Sequence, residues 1–183
     1  MNINQLNQLI KTLTIEIRKQ FGIDPNAPFT YEKLENLVIK LNGRIKNVDY
    51  LNYDAEIVKK VGPISFEILL SEYPSQKRKM FSIAHELGHL FLHMLYLIDD
   101  EHWNGLLEEE SYRREGLNKL ESEANSFAAE LLMPEEEYLI QLKRNKVLIG
   151  DSTYFDTKAM AEYFNVSENA IINRGKWLGV FAW

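Results

Sequence analysis

Apolar residues recur every three or four positions in two segments near the start of the chain. One face of the first carries Leu6, Leu9, Ile10, Leu13, Ile17 and Phe21, and one face of the second, after Thr30, carries Leu34, Leu37, Val38 and Leu41. This spacing matches the turn of an α-helix and predicts two amphipathic helices. Gly22 and the pair Asn42-Gly43 are predicted to end them, because glycine and asparagine favour the backbone that closes a helix.

The spacing of apolar residues then changes to two. The stretches GRIKNV (43–48) and PISFEILL (63–70) are rich in β-branched and aromatic residues, and apolar and polar residues alternate in the second stretch. Such alternation is typical of a β-strand that has one buried face. We therefore predict a small β-sheet after the two N-terminal helices.

Helical spacing returns in the middle of the chain. It predicts one helix from Lys77 to about Leu97 and another from about Glu115 to Leu132, which ends before Met133-Pro134. Residues 98–114 between them are acidic and irregular, and Asn104-Gly105 in that stretch is a turn signal. Together these patterns predict an α+β fold that is mainly helical, with a small β-sheet.

The last part of the chain is predicted to form a separate small segment. A short acidic segment at residues 135–144 is followed by a break at Gly150-Asp151. We therefore predict a main domain over residues 1–149 and a small helical segment over residues 150–183.

This helical tail allows two interpretations. The stretch TKAMAEYFNVSENAIINRGKWLG resembles a helix-turn-helix in which Ser167 caps the second helix. It is either a DNA-binding module or a small helical module that packs on the rest of the chain or docks a partner. Arg174 and Lys176 stand against Glu168 and form a basic stripe too thin for independent phosphate binding. We therefore do not expect the tail to bind DNA directly.

The composition narrows the class of protein. The chain has 183 residues and is 45% hydrophobic, which is enough for a sizeable core. A net charge of −6 and a pI of about 5.3 argue against a protein that coats nucleic acid or an anionic membrane through its overall charge. No cysteine is present, so any metal ion must be held by imidazole and carboxylate groups.

No targeting or membrane segment is expected. The N-terminal residues lack a basic stretch followed by an unbroken apolar core, which a signal peptide requires. The longest apolar run, around residues 90–98, is interrupted by His93 and is too short to span a bilayer. We therefore expect a cytoplasmic protein.

The sequence His85-Glu86-Leu87-Gly88-His89 carries candidate chemistry within one predicted helix. Four residues of an α-helix turn through about 400°, so His85 and His89 project from nearly the same face and can share one metal ion. Glu86 lies about 100° around the helix, beside the open position of the metal, where a general base is needed. This arrangement is typical of a zinc site that activates water for attack on a peptide carbonyl.

A catalytic zinc site needs a third protein ligand. A histidine six residues after His89, with glycine midway, would indicate the metzincin subclass, but Leu95 and Leu92 occupy those positions. The third ligand is therefore expected to be a glutamate from a later helix.

The stretch LESEANSFAAELLMP (120–134) offers three such glutamates. Glu121 shares a helical stripe with Asn125 and two apolar residues, whereas Glu123 and Glu130 share a different, polar stripe. We therefore predict Glu121 as the third ligand. Asn125, one turn later, is placed to hydrogen-bond one of the metal-binding side chains without binding the metal itself.

These motifs resemble the ImmA/IrrE family of zinc-dependent metallopeptidases. The resemblance rests on RKMFSIAHELGHLFLH (78–93), on ESEANSFAAELLMP (121–134) about thirty residues later, and on the alternating strand before them, and it extends more loosely to the tail. It implies zincin-like active-site helices in which His85, His89 and Glu121 bind Zn2+ and Glu86 is the base. It also implies an endopeptidase that cleaves a helix-turn-helix transcriptional repressor of a prophage, another mobile element or a stress regulon.

Alternatives remain open at this stage. A non-catalytic regulator that uses the metal fold and tail to bind a protein partner or DNA is a second hypothesis. Manganese or iron also suits histidine and carboxylate ligands. Four residues are candidates for the donor that stabilises the oxyanion, namely Tyr112, Tyr138, Tyr154 and His102.

Two further histidines and one strand lie outside the predicted ligand set. His93 is expected to close its helix or meet solvent rather than bind the metal. His102 is expected to lie in a polar loop without a further specific role. The strand at Ile64–Leu70 is a hypothetical edge along which an extended substrate pairs.

Overall fold

The computed structural model describes residues 2–112, 119–149 and 152–182. These residues form eight α-helices: α1 (Ile3–Gln20), α2 (Tyr31–Lys40), α3 (Gln76–Leu92), α4 (Asp100–Gly105), α5 (Lys119–Leu132), α6 (Glu135–Arg144), α7 (Thr157–Phe164) and α8 (Glu168–Trp177). They also form six β-strands: β1 (Gly43–Val48), β2 (Ala55–Lys59), β3 (Phe66–Ser71), β4 (Ser111–Tyr112), β5 (Lys146–Ile149) and β6 (Ser152–Phe155). The fold is α+β and mainly helical, as the sequence predicts.

The chain divides into two compact units. One comprises Thr30–Ala128, and the other comprises Met1–Phe29 together with Ala129–Trp183. The predicted domain boundary at Gly150-Asp151 lies outside the described residues, so it stays a prediction.

The unit formed by Thr30–Ala128 is built on a four-stranded sheet with the order β1-β3-β2-β4. Strand β1 runs parallel to β3, whereas β2 is antiparallel to both β3 and β4. Helix α3 packs on β2 and β3, and α2 contacts both β1 and α3. Phe66, Ile68 and Leu70 of β3 are fully buried, so the core of this unit includes the centre of its sheet.

The position of β3 shows that the hypothesis of an extended substrate pairing along this strand is wrong. This strand lies between β1 and β2, so neighbouring strands occupy both of its sides and leave no edge for a substrate. Strand β2, which sequence analysis missed, lies beside the short β4 and pairs with it only at Ile57 and Val58. All five residues of β2 are buried, including Glu56 and Lys59, so burial along this strand does not follow the alternation of apolar and polar residues that predicts a strand.

The helix at the histidine motif is shorter than predicted. It ends at Leu92, and His93 is its C-cap. Leu95 and Leu97 have φ values of 54° and 61°, in the left-handed region that an α-helix of L-residues cannot continue through. Residues 100–105, predicted to be irregular, form α4 instead, because Asp99 accepts a hydrogen bond from the backbone N–H of His102 and caps it.

The other predicted helices are present, with one addition. Thr30 caps α2 by accepting from the backbone N–H of Lys33. The acidic segment after Pro134 forms α6, in which Glu135, Glu136 and Glu137 lie in the first turn, where the helix dipole favours negative charge. Residues 115–118 of the helix predicted from Glu115 to Leu132 lie outside the described residues.

The tail contains the two predicted helices and their turn. Asn165, with a φ of 54°, is the left-handed C-cap of α7, and Ser167 caps α8 by accepting from the backbone N–H of Ala170. Arg174 forms a buried ion pair with Glu130. Glu130, which the sequence places on a polar stripe of its helix, is therefore buried against a positive charge. The same ion pair leaves Arg174 of the thin basic stripe of α8 less available to bind phosphate.

None of the helices that the structure describes is long and apolar enough to cross a bilayer. The expectation of a cytoplasmic location stays a prediction.

Gly88 sets how closely α3 approaches α5. A Cβ atom built on Gly88 would lie 2.9 Å from the Cα atom and 3.0 Å from the carbonyl oxygen of Ala124, and 3.2 Å from the Cβ atom of Phe127. These are backbone atoms and the root of a side chain, so they cannot rotate away. The glycine of the histidine motif is therefore required by helix packing.

We predict that Gly88→Ala lowers the free energy of unfolding by about 1–3 kcal/mol, because the added methyl group overpacks the contact with α5. Gly105→Ala is the matched control, since a Cβ atom there meets nothing within 4 Å. Chemical denaturation of both variants measures the difference. Equal stability of the two variants would contradict this account of the packing.

Candidate metal centre

Helices α3 and α5 bring His85, His89 and Glu121 together. The Nε2 atoms of the two histidines are 3.0 Å apart. Glu121 Oε2 lies 3.3 Å from His85 Nε2, and Glu121 Oε1 lies 3.2 Å from His89 Nε2. All three residues are buried, with exposed fractions of 0%, 1% and 8% in that order. The spacing of the sequence motif thus corresponds to one compact group.

The distances within this group fit a metal ion. Two ligand atoms that each lie about 2.0–2.1 Å from a tetrahedral zinc ion are separated by about 3.3 Å. The three separations among the nitrogen and oxygen atoms run from 3.0 to 3.3 Å. Three protein ligands also leave one position for water or substrate, as in catalytic zinc sites. The donor set therefore fits zinc, and it suits manganese or iron as well.

Asn125 orients the first histidine. Its Oδ1 atom lies 2.9 Å from His85 Nδ1. An amide oxygen only accepts hydrogen bonds, so His85 Nδ1 carries the proton and donates it. The Nε2 atom of His85 then presents its lone pair toward Glu121 and His89, which is the tautomer that a metal ligand needs.

Glu86 is held by the sheet. Its side chain is 1% exposed, and its Oε2 atom accepts a hydrogen bond of 3.0 Å from the backbone N–H of Ile57 in β2. Among the described residues, the group that can hold a metal ion comprises both histidines and Glu121 but not Glu86. The strand that sequence analysis missed therefore fixes the direction of the candidate base.

His93 lies against the second histidine. It closes α3 as predicted, but it does not face solvent, because its Nδ1 atom lies 2.9 Å from His89 Nδ1 and its Nε2 atom lies 3.2 Å from Glu123 Oε2. Burial lowers the pKa of His93 below its ordinary value, and Glu123 opposes that shift. The lowered pKa favours a neutral imidazole at neutral pH. The one feature of the sequence that indicates this contact is the four-residue step from His89 to His93, which places both on one face of the helix.

The candidates for oxyanion stabilisation have different surroundings. Tyr138 is fully buried, burial raises its pKa to about 12, and its hydroxyl donates to the carbonyl oxygen of Ile171 at 2.7 Å. Tyr154 lies on β6 and is 53% exposed. His102 lies on α4, with its Nε2 atom 3.2 Å from the carbonyl oxygen of His93. The side chain of Tyr112 lies outside the described part of the chain, and the oxyanion role stays a prediction.

We predict that Glu121→Ala abolishes stoichiometric zinc binding, because it removes one of three ligands from a buried group. Glu108→Ala is the matched control, since Glu108 is an exposed glutamate of the acidic loop. Metal content after dialysis, measured by mass spectrometry, separates the two variants. Zinc retained at one equivalent by Glu121→Ala would remove Glu121 from the site.

The chain is similar to known proteins in sequence and in fold. The model of the peptidase M78 family, described as the IrrE N-terminal-like domain, matches residues 32–176. A solved structure of a Mycobacterium tuberculosis transcriptional regulator is similar in fold, with a TM-score of 0.57 and 13% sequence identity over 94% of this chain. This chain covers 46% of that protein, and such low identity supports the fold alone. A search of curated protein sequences found no match. From the match over most of its length, the chain belongs to the peptidase M78 family, whose domain is IrrE N-terminal-like.

Proposed function

We propose that this protein is a metallo-endopeptidase. His85, His89 and Glu121 hold the metal ion, and Glu86 is the general base. The observation that carries the proposal is the buried group of two imidazoles and a carboxylate with ligand spacing, next in sequence to a second buried carboxylate that the sheet holds. Membership of a peptidase family supports the same conclusion.

The chemistry divides between the metal and the chain. When bound, zinc lowers the pKa of water and polarises a carbonyl group. Glu86 accepts the proton of the attacking water and returns it to the leaving amine. The backbone N–H of Ile57 holds Glu86 Oε2 at 3.0 Å, so the carboxylate keeps one direction throughout. Asn125 keeps His85 in the tautomer that leaves Nε2 unprotonated.

The substrate is a protein, in keeping with a peptidase family. We propose more narrowly a helix-turn-helix transcriptional repressor, whose cleavage relieves repression of a mobile element or stress regulon. Support for this narrower statement comes from the resemblance of the histidine and glutamate motifs to ImmA/IrrE peptidases. The protein is proposed to act in the cytoplasm, where such a repressor is found.

A non-catalytic regulator is the competing function. A protein that only binds a partner needs no carboxylate beside its metal ligands, whereas Glu86 is buried and fixed by a main-chain hydrogen bond. The ion pair between Arg174 and Glu130 also takes a positive charge away from any DNA-binding role of the tail. Both observations favour the enzyme.

We predict that Glu86→Gln retains zinc and loses at least about a hundredfold in turnover, because glutamine keeps the shape of the side chain but cannot accept the proton. Wild type and variant are each co-expressed with a candidate helix-turn-helix transcriptional repressor. Intact-mass analysis of the repressor gives its fragments and the cleaved bond in one measurement.

The control is the metal content of both proteins, which must be equal. Specific fragments with the wild type alone would establish the endopeptidase. An intact repressor in the presence of zinc-loaded wild type would contradict the proposed substrate, and equal fragmentation by both proteins would contradict the role of Glu86.

A further inference from the structure

A chain of two contacts leads outward from the second histidine. The first joins the Nδ1 atoms of His89 and His93 at 2.9 Å, and the second joins His93 Nε2 to Glu123 Oε2 at 3.2 Å. The rings of His89 and His93 have centroids 5.0 Å apart and are tilted by 52°. His93 is 9% exposed, so water has little access to the links it makes.

The chemistry of these atoms fixes where the protons lie. A carboxylate only accepts hydrogen bonds, so the contact with Glu123 places a proton on His93 Nε2. The neutral imidazole of His93 then has an unprotonated Nδ1, which can only accept. His89 must therefore donate from Nδ1, which leaves the lone pair of His89 Nε2 directed at His85 and Glu121.

We propose that His93 and Glu123 are positioning residues that set the tautomer and ring orientation of His89. This inference rests on the proposed metal site, but it does not depend on the substrate or on turnover. Glu123 determines which nitrogen of His93 carries the proton. His93 in turn determines which nitrogen of His89 carries the proton, although His89 lies two hydrogen bonds away from the carboxylate.

The arrangement has a counterpart at the other histidine. His85 Nδ1 meets Asn125 Oδ1 directly at 2.9 Å, whereas His89 reaches its acceptor, Glu123, through His93. Glu121, Glu123 and Asn125 all lie on α5. One helix therefore supplies a metal ligand and the outer acceptor for each of the two histidines.

Loss of an outer partner of a metal-bound histidine costs about 10–100-fold in metal affinity. We predict a loss of this size for His93→Leu, which removes both hydrogen bonds. His93→Gln is the rescue variant, because its amide can accept from His89 and donate to Glu123. It is expected to recover most of the lost affinity.

Substitutions at Glu123 give a second matched pair of variants. Glu123→Ala removes the acceptor for His93, whereas Glu123→Gln keeps an acceptor oxygen. Both variants lose the ion pair of 3.6 Å between Glu123 and Lys119, so that ion pair cannot explain a difference between them. Zinc affinity is expected to fall for Glu123→Ala and to stay near wild type for Glu123→Gln.

The direct test is long-range proton–nitrogen NMR of the zinc-loaded protein at about pH 8, above the ordinary histidine pKa of about 6.5. The expected result for wild type is a proton on Nδ1 of His89 and on Nε2 of His93. In Glu123→Ala, the preference of His93 for the Nε2 proton is expected to weaken. Zinc affinity is measured in the same samples by competition with a chelator, and thermal unfolding of the metal-free variants separates positioning from loss of fold.

A proton on Nε2 of His89 in the wild type would overturn the inference, as would an unchanged zinc affinity in a folded His93→Leu variant. The predicted tautomers and affinities in a protein that cleaves no repressor would uphold it and count against the proposed substrate instead. The two proposals therefore fail by different measurements.

Discussion

The convergence of two imidazole nitrogens and a carboxylate in a buried place is the constraint on which the rest of the site depends. His85, His89 and Glu121 turn electron-rich atoms toward one point at separations of 3.0 to 3.3 Å. Removing a carboxylate from water is costly, and a cation at the centre offsets part of that cost. Metal binding in such a group also contributes to folding stability, because the unfolded chain has no preformed site.

The surrounding structure positions this group and the neighbouring Glu86 through two contacts. Gly88 lets α3 lie against Ala124, which brings Glu121 within reach of both histidines. The backbone N–H of Ile57 in β2 holds Glu86 beside the group and apart from its ligands. Gly88 thus sets the distance between the two helices, and Ile57 sets the direction of Glu86.

Helical periodicity predicts much of this arrangement. The four-residue step from His85 to His89 places both side chains on one face, and the stripe shared by Glu121 and Asn125 selects the face of the later helix that turns inward. The structure brings these residues together in the predicted way, while their roles as ligands and orienting residue remain part of the proposal. Local spacing suffices here because each pair lies within about one turn of a single helix.

Other features depend on contacts between distant parts of the chain, which periodicity does not report. Strand β2 is buried at every position, so its apolar and polar residues do not mark a buried and an exposed face. His93 meets Glu123 across a separation of thirty residues, and Glu130 meets Arg174 across forty-four. The sequence of one helix can show that a stripe is polar. It cannot show whether that stripe faces solvent or a buried charged residue, because that depends on a second element packed against it.

The central claim is that one metal ion lies among His85, His89 and Glu121, and X-ray absorption spectroscopy of the zinc-loaded protein tests it most directly. The account predicts one zinc ion per chain, with two imidazole nitrogens at about 2.0–2.1 Å and a carboxylate oxygen at about 2.0–2.2 Å. A stoichiometry well below one, or a zinc ion surrounded by oxygen atoms without the signature of two imidazoles, would contradict it.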